Sequence, residues 1–476
     1  TARTTGIDPA TVRRVARELA AAPRAAVYGR LGTTCQEFGT LSSWAVDLLN
    51  YLTGNLDREG GVMFPLPAAL RGGARKERAV DRSVARLGER RSRIGGLPYL
   101  FGELPAATIA DEILTPGEGQ LRALVTVAGN PARSVPGSAR IEEALASLEH
   151  LVCVDFYLNE TTRHASVILP PPAPLERETY DLAFYQLSVR NVAKYSLAAV
   201  PRPADQPDEW QILLRLAAGL LGLRDAPLEA ADGFVFSGLV DEELSGGELR
   251  FAGLDADEAR AALGEEPGPR RILDLWLRSG PYGDGFGRDP GGLSLAKLLE
   301  SPHGVDLGAL TPGLPAVLQT ADRKIDLFPP IVAGDLPRLA ASLDRPAPEL
   351  VLVGRRHLRS NNSWLHNVRS LAKGPERCTL LMHPADATAR GLVTGALVKV
   401  SSRVGEVVAP LETSDDMRPG VVSLPHGFGH DAPGARMSLA AARPGANMNR
   451  LTDPARLDVP SGNAALNGEP VSVGPA

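Results

Sequence analysis

The feature that most constrains the fold is an alternation of strand, helix and strand in the first half of the chain. Ala123 to Val127 and Leu151 to Val154 are short apolar runs rich in β-branched residues, and Ile141 to Leu148 between them has helical spacing. This order is typical of two parallel strands joined by a helix. Since parallel sheets bind ligands beyond the carboxyl ends of their strands, the loops after these two runs are candidate sites.

Other segments extend this pattern towards both ends of the chain. Ala25 to Tyr28 is predicted to be a strand running into a glycine turn, with a helix from Leu41 to Thr53 after it. A third strand of the sheet is expected at Ser166 to Leu169, and a long loop at 65–104. From residue 349 onwards, short β-rich runs separated by turns predict a barrel. The predicted fold class is α/β, with Rossmann-like parallel-sheet domains followed by a C-terminal β-barrel domain.

Composition and charge exclude several kinds of function. The formal net charge of −5 gives no broad electrostatic attraction to nucleic acid or to an anionic membrane. No apolar run approaches the ~18 residues of a membrane span. The chain has three cysteines, far apart, which excludes a disulfide framework and a CxxC cluster site. A reducing compartment fits this usage, so we expect a cytoplasmic protein, although export of a folded protein would leave the same pattern.

The loops after the two buried strands carry polar residues suited to a ligand. Gly129 allows close backbone approach, and Asn130 and Asp155 offer side-chain hydrogen bonds. The alternative is ordinary turn chemistry, since Gly, Asn and Asp are the usual residues of such loops. Asp155 has a second structural alternative, because Asp is also a favoured N-cap of a following helix.

A second candidate is the donor-rich segment 354–367, which reads GRRHLRSNNSWLHN. Arginine binds phosphate bidentately, and asparagine and histidine can bind a heterocycle. The alternative is a solvated basic turn. Trp364 and Leu365, lying beside the polar groups, favour a site.

Familiar catalytic motifs are missing from the sequence. It contains no GxxxxGK[ST], HExxH or GxSxG, so P-loop, zincin and α/β-hydrolase functions lack support. The glycine-rich stretch at 280–287 lacks the GxGxxG spacing and is expected to be an ordered surface loop. Cys35 has no specified base beside it, and we expect a structural thiol there.

Several passages, taken in order, resemble the large subunit of the molybdopterin oxidoreductases of the dimethyl-sulfoxide-reductase-like family. They are Gly54-Asn55-Leu56 with Gly60-Gly61-Val62, Gly129-Asn130-Pro131, the stretch DFYLNETTRHASVILP at 155–170, Leu175 to Glu178, Asp208-Glu209-Trp210, Thr320 to Leu327 and Asn447 to Val473. The order of these passages extends over nearly the whole chain. The sequence departs from the family pattern at Asn159, Glu160 and Ser166, and Arg71-Gly72-Gly73 is the nearest match to the formate dehydrogenase passage.

The resemblance implies a molybdenum-dependent oxidoreductase that binds bis-molybdopterin guanine dinucleotide and performs two-electron redox chemistry on a small-molecule substrate. It implies that Asn130 and Asp155, helped by Thr161, contact a guanosine portion near Gly129. From the barrel it implies five further contacts with the cofactor: Arg359, Asn361, His366, Asn367 and Asn449. We expect His366 and Asn449 to converge on a cleft shared with the strand–helix–strand unit.

The same resemblance implies four regions. They are 1–75, the tail of an α/β domain; 76–224, an α/β cofactor-binding domain; 225–346, an irregular Gly/Pro-rich connection; and 347–476, a β-barrel molybdopterin dinucleotide-binding domain.

The family's N-terminal iron–sulfur cluster region and its molybdenum ligand have no counterpart in this sequence. We therefore expect a C-terminal portion with no metal ligand, incomplete for catalysis by itself and working with a redox partner protein. Two alternatives stay open: a nucleotide-binding accessory subunit, and a cofactor-free fragment.

Overall fold

The computed structural model describes residues 2–69, 89–100, 102–245, 253–318, 320 and 322–476. Half of the long loop expected at 65–104, including Arg71-Gly72-Gly73, lies outside these ranges. The helices are α1 Ala2–Thr5, α2 Pro9–Ala21, α3 Leu31–Thr34, α4 Gly39–Leu52, α5 Ile109–Leu114, α6 Pro131–Ser134, α7 Ser138–Ser147, α8 Glu209–Leu220, α9 Leu228–Leu244, α10 Ala256–Leu263, α11 Pro269–Ser279, α12 Leu295–Leu299, α13 Leu314–Val317, α14 Pro330–Ser342, α15 Arg369–Ala372, α16 Pro384–Ala389 and α17 Ser438–Ala441. No helix in the described ranges has the length and hydropathy needed to cross a membrane.

The strands fall into a parallel sheet, a barrel and small pairs. They are β1 Ala123–Val127, β2 His150–Val154, β3 Val167–Ile168, β4 Thr179–Tyr180, β5 Asn191–Ala193, β6 Tyr195–Ser196, β7 Val305–Gly308, β8 Leu350–Arg355, β9 Leu380–Met382, β10 Leu397–Ser401, β11 Glu406–Thr413, β12 Val421–Pro425, β13 Leu457–Asp458, β14 Asn463–Ala464 and β15 Glu469–Pro475.

Strands β1, β2 and β3 form a parallel sheet in that order. Helix α7 connects β1 to β2 and buries Ile141 and Leu145 against Leu151. The predicted parallel sheet is thereby confirmed. The opposite face is not covered in the same way, because Val125 and Val127 are 45% and 46% exposed. All three strands end at one edge, where the loops after β1 and β2 emerge side by side.

Six strands close the predicted barrel in the order β10-β11-β9-β12-β8-β15, and β15 pairs with β10 to complete the ring. The alternating burial of β11 shows how the sequence specifies the barrel, since Val407, Ala409 and Leu411 point inwards and Val408 is 48% exposed. Leu352 and Leu380 fill the centre with no exposed surface. The barrel therefore has its own apolar core.

The strand expected at Ala25 to Tyr28 is not formed. Residues 25–28 have no regular secondary structure, and no strand of the described ranges pairs with them. The side chain of Asn50 takes the place of a neighbouring strand, because its Oδ1 accepts from Val27 N and its Nδ2 donates to Val27 O, both at 2.8 Å. The apolar pattern therefore predicted a strand wrongly, because a side-chain amide satisfies the backbone of Val27.

The parallel sheet and the barrel are joined by hydrogen bonds between segments distant in the sequence. Arg133 Nε donates to Gly429 O at 2.6 Å, and Gly137 N donates to Thr452 O at 2.9 Å. Arg436 N donates to Leu158 O at 2.7 Å. These bonds bring the loops at the carboxyl edge of the sheet against the barrel.

The barrel core can be tested by two substitutions of the same residue type. Leu411 is 1% exposed on β11, whereas Leu397 on β10 is 59% exposed. We expect Leu411→Ala to lower the free energy of unfolding by about 2–5 kcal/mol, because it removes buried methyl groups and leaves a cavity. Leu397→Ala should change it by less than about 0.5 kcal/mol. Equal losses in urea-unfolding measurements would contradict the barrel orientation.

Candidate functional site

The loop after β1 places Asn130 in a buried position. Its Nδ2 donates to Glu160 Oε2 at 2.8 Å, and its Oδ1 accepts from Thr161 Oγ1 at 2.7 Å. The structure therefore brings Asn130 and Thr161 together. Gly129 precedes them, and the nearest atom to a Cβ built there is Val127 O at 3.8 Å. No neighbouring part of the described chain requires a glycine at this position.

The loop after β2 is organised by the carboxylate of Asp155. One oxygen accepts from Tyr157 N and the other from Asn159 Nδ2, both at 2.9 Å. Burial raises the pKa of Asp155 above its ordinary value, although these hydrogen bonds act against the shift. No helix begins directly after Asp155, so the side chain stabilises a turn and does not cap a helix. The backbone N–H of Phe156 also bonds the carboxylate, and together these bonds fix its orientation.

Glu160 is the most deeply buried carboxylate of this edge, with no exposed surface. Burial acts to raise the pKa of Glu160, but the neighbouring His430, Arg133 and Asn130 together lower it to about 2. Its Oε1 lies 3.0 Å from His430 Nδ1, and its Oε2 lies 4.0 Å from Arg133 Nε. A charged carboxylate is therefore buried between the sheet and the barrel.

His430 approaches the sheet edge from the loop after β12. Gly427 and Gly429 in that loop have positive φ values of 88° and 103°. A Cβ at Gly427 would lie 2.2 Å from Asn362 O, and a Cβ at Gly429 would lie 2.5 Å from Asn447 Cβ. Only glycine permits this close approach of three loops. His430 Nε2 is buried and has no hydrogen-bond partner among the described residues.

His366 packs between two rings of the same loop. Its ring centroid lies 4.5 Å from that of His430 and 4.3 Å from that of Phe428. Its Nε2 lies 3.0 Å from Asn362 O. Burial and then the nearby His430 lower the pKa of His366 to about 4. His366 also lines a small cavity of about 40 Å³ in the barrel.

The remaining sequence-predicted barrel residues take different positions. Arg359 and Asn361 are exposed. Asn367 Oδ1 accepts from Leu439 N at 2.9 Å and so holds the start of α17. Asn449 is buried, and its Nδ2 donates to Arg133 O at 2.8 Å. Asn449 therefore contacts the segment after β1 directly. His366 is connected to the loop after β2 through His430 and Glu160, whereas Asn367 contacts α17 of the barrel region.

A group of cations surrounds the donor-rich segment. Its members are Arg355, Arg356, Arg359, Arg377 and Arg443, and none forms an ion pair with a carboxylate of the described residues. Burial lowers the pKa of His357, and the charges of Arg377, Arg355 and Arg359 lower it further. The local field is therefore positive, in contrast to the chain as a whole.

Metal ligation has no visible basis in the described residues. They contain no group of three or more His, Cys, Asp or Glu side chains that could hold a metal ion. Cys35 is half-buried, and its Sγ lies 3.8 Å from Asn463 Nδ2. The site is instead built from hydrogen-bonding and cationic groups.

Sequence reasoning missed three residues of this site: Glu160, His430 and Arg133. The pairing of Glu160 with His430 spans 270 residues, so no local pattern could show it. The signal available was the sequence HGFGH at 426–430, in which two glycines allow a tight loop beside two histidines.

Two family models match the chain. Molybdopterin oxidoreductase matches residues 12–218, and Molydopterin dinucleotide binding domain matches residues 350–469. The first match contains the parallel sheet with Asn130 and Asp155. The second contains the barrel with His366 and His430.

Curated relatives match over most of the chain. The F420-dependent formate dehydrogenase 2 subunit alpha of Methanococcus maripaludis is 24% identical, over 91% of this chain and 58% of the relative. The molybdopterin-containing subunit of the arsenate respiratory reductase of Chrysiogenes arsenatis is 26% identical, over 98% of this chain and 60% of the relative. The chain thus spans roughly three fifths of the length of these relatives.

A solved structure resembles the whole described fold. Acetylene hydratase from Pelobacter acetylenicus superposes with a TM-score of 0.61 at 17% identity, covering 100% of this chain and 64% of that one. At this identity the likeness concerns the fold alone.

Removing the buried carboxylate should destabilise the junction of sheet and barrel. Glu160→Ala leaves the buried donors of His430 and Asn130 unpaired, and we expect a loss of about 3–5 kcal/mol in the free energy of unfolding. The control Glu143→Ala lies on the exposed face of α7 and should cost less than about 0.5 kcal/mol. Chemical denaturation measures both, and a small loss in Glu160→Ala would contradict the assigned network.

Acid should weaken the fold through His366. Its pKa is about 4 in the folded chain and 6.5 ordinarily, so only the unfolded chain is protonated there between these pH values. The free energy of unfolding should therefore decrease as pH falls from 6.5 to 4, with His366 contributing roughly 1–3 kcal/mol.

Other histidines with lowered pKa values, namely His164, His357 and His426, act in the same direction. The measurement is consequently the difference between the parent and His366→Phe, whose ring packs without titrating. A pH dependence that is identical in the two proteins would contradict the assignment to His366.

Proposed function

Because this chain carries the Molybdopterin oxidoreductase and Molydopterin dinucleotide binding domains, we propose that it binds molybdopterin guanine dinucleotide at the junction of its parallel sheet and barrel. The observation that carries the proposal is the positioned carboxylate of Asp155 at the carboxyl edge of the sheet. The activity proposed for the whole protein is two-electron oxidation or reduction of a small substrate.

The sheet edge fits the base of the nucleotide. Guanine presents N1–H and its exocyclic amine along one edge, and a carboxylate can accept from both. Adenine presents an acceptor at N1 and so lacks this donor pair. The turn bonds from Tyr157 and Asn159 hold the carboxylate of Asp155 in place before a ligand arrives. Preorganisation of this kind lowers the entropic cost of binding.

Asn130 and Thr161 stabilise this loop and do not form hydrogen bonds with the base themselves. The side chains bond to each other at 2.7 Å and are buried. Thr161 Oγ1 also accepts from Ala132 N at 3.1 Å. Through these bonds the two residues set the position of the backbone around Gly129, whose open side can face a ligand.

The barrel fits the anionic part of the cofactor. Arg359 is exposed and belongs to the cation group that lacks carboxylate partners. Guanidinium groups bind phosphate oxygens bidentately. Several of them near a cleft, without carboxylate partners, form a positively charged site for an anion. We assign the pyrophosphate to this group, with Asn361 beside it.

When bound, the molybdenum cofactor supplies the two-electron redox chemistry. The residues of this chain bind, orient and exclude water. Asn449 and Arg133 hold the barrel against the sheet. The sheet edge can then bind the base while the barrel binds the phosphates.

Asp155→Asn tests the base assignment. The amide retains an acceptor oxygen but cannot accept two donors at once. Loss of a hydrogen bond to a charged group costs ~1.5–3 kcal/mol, so GDP affinity should fall roughly ten- to 150-fold. ADP affinity should stay unchanged. Isothermal titration calorimetry of the purified chain with each nucleotide measures this.

The matched control is Asp225→Asn, whose side chain is 95% exposed and lies outside the site. It should bind GDP like the parent. If Asp155→Asn lowers only the melting temperature and leaves GDP affinity unchanged, Asp155 is a turn residue and the base assignment fails.

A further inference from the structure

A buried carboxylate and two imidazoles form one continuous line between the sheet and the barrel cavity. Glu160 Oε1 lies 3.0 Å from His430 Nδ1. The rings of His430 and His366 follow, with centroids 4.5 Å apart and planes inclined at 54°. The side chains of Glu160 and His430 have no exposed surface, whereas His366 lines the cavity.

The partners of the two rings fix where their protons lie. A charged carboxylate only accepts hydrogen bonds, so His430 Nδ1 carries a proton towards Glu160. A backbone carbonyl also only accepts, so the Nε2 of His366 carries the proton donated to Asn362 O at 3.0 Å. The remaining nitrogen of a neutral His366 is Nδ1, and it holds a lone pair.

We propose that the bond to Asn362 O and the packed ring of His430, which Glu160 holds in place, keep the proton of His366 on Nε2, so that His366 Nδ1 accepts a hydrogen bond from an N–H or O–H group of the bound ligand. This inference rests on the proposed function and assigns different ligand groups to different residues. The arginines bind phosphate oxygens, and His366 binds a hydrogen-bond donor such as a ring amide or amino group.

The surroundings of His366 support this division. The charged and titratable groups facing it are His430 and Glu160 behind the ring and His357, Arg359, Glu376, Arg377 and Arg443 around the cavity. The three arginines disfavour a positive charge on the ring because like charges repel, and the two carboxylates, Glu160 and Glu376, act in the opposite direction. A cavity of about 40 Å³ has room for one end group of a larger molecule or for an ordered water.

The tautomers can be measured directly in the chain as it exists. It contains eight histidines, so labelling with ¹⁵N-histidine gives few resonances, and His366→Asn and His430→Gln assign the two that matter. At pH 7 we expect His366 to be neutral with its proton on Nε2. A proton on Nδ1 would overturn the proposal without any ligand present.

The positioning role is tested by His430→Gln, which keeps an amide donor for Glu160 but removes the second imidazole. The titration midpoint of His366 should rise by at least half a pH unit, and its two tautomers should mix. A role limited to filling space would leave both readouts unchanged, and that result would overturn the inference. The spectrum of the parent decides the tautomer even if this variant fails to fold.

Two probes test the ligand chemistry. 6-Hydroxymethylpterin carries ring N–H and amino groups that donate hydrogen bonds. Inorganic pyrophosphate has no N–H group, and at neutral pH it presents mainly acceptor oxygens. The pterin should shift the Nδ1 resonance of His366, and pyrophosphate should not. His366→Leu should weaken pterin binding roughly five- to tenfold, and His366→Asn, which places an acceptor oxygen near the Nδ1 position, should restore most of it.

The failures of the two proposals are distinguishable. Binding of GDP with no effect of the pterin on His366 Nδ1 would overturn this inference alone. If GDP, the pterin and pyrophosphate all fail to bind, the proposed function is overturned. The inference that a ligand donates a hydrogen bond to His366 Nδ1 is then overturned as well.

Discussion

The junction between the sheet and the barrel depends on one buried negative charge, that of Glu160. Glu160 lies where the carboxyl edge of the sheet meets the barrel, and water does not reach it. A carboxylate in such a place is strongly unfavourable unless several donors surround it. Asn130 from one sheet loop, His430 from the barrel and the nearby guanidinium of Arg133 supply that compensation. The two halves of the molecule are therefore held in one arrangement, in which the charge is satisfied.

Local patterns were enough to predict a parallel sheet and a barrel. The runs at 123–127 and 151–154 are apolar and β-branched, and their separation by a helix left a parallel pair as the natural solution. The alternation along residues 406–413 likewise follows from the two faces of a barrel strand. The segment near Val27 shows the limit of such reasoning, because a side chain of α4 satisfies its backbone where a strand was expected.

The site was less accessible to sequence reasoning because its contacts are non-local. Asn130 and Thr161 lie 31 residues apart and could be brought together by the known geometry of parallel strands. His430 lies 270 residues from Glu160, and only the resemblance of whole passages indicated that the barrel approaches the sheet. Asn367 shows why residue type is ambiguous, since its side-chain oxygen accepts from the backbone of α17. Residue type alone does not distinguish a ligand contact from a cap.

The long separation between Glu160 and His430 also bears on how the chain folds during synthesis. Arg133 and Gly429 lie 296 residues apart, so a similar delay applies to the bond between them. At roughly 5–20 residues per second, a ribosome needs about 13–54 s to add the 270 residues that separate the carboxylate from its imidazole. During that time the sheet can form, but Glu160 must stay hydrated, and its loop cannot take up its final conformation. The loop that is proposed to hold the nucleotide is thus completed last, when the barrel docks.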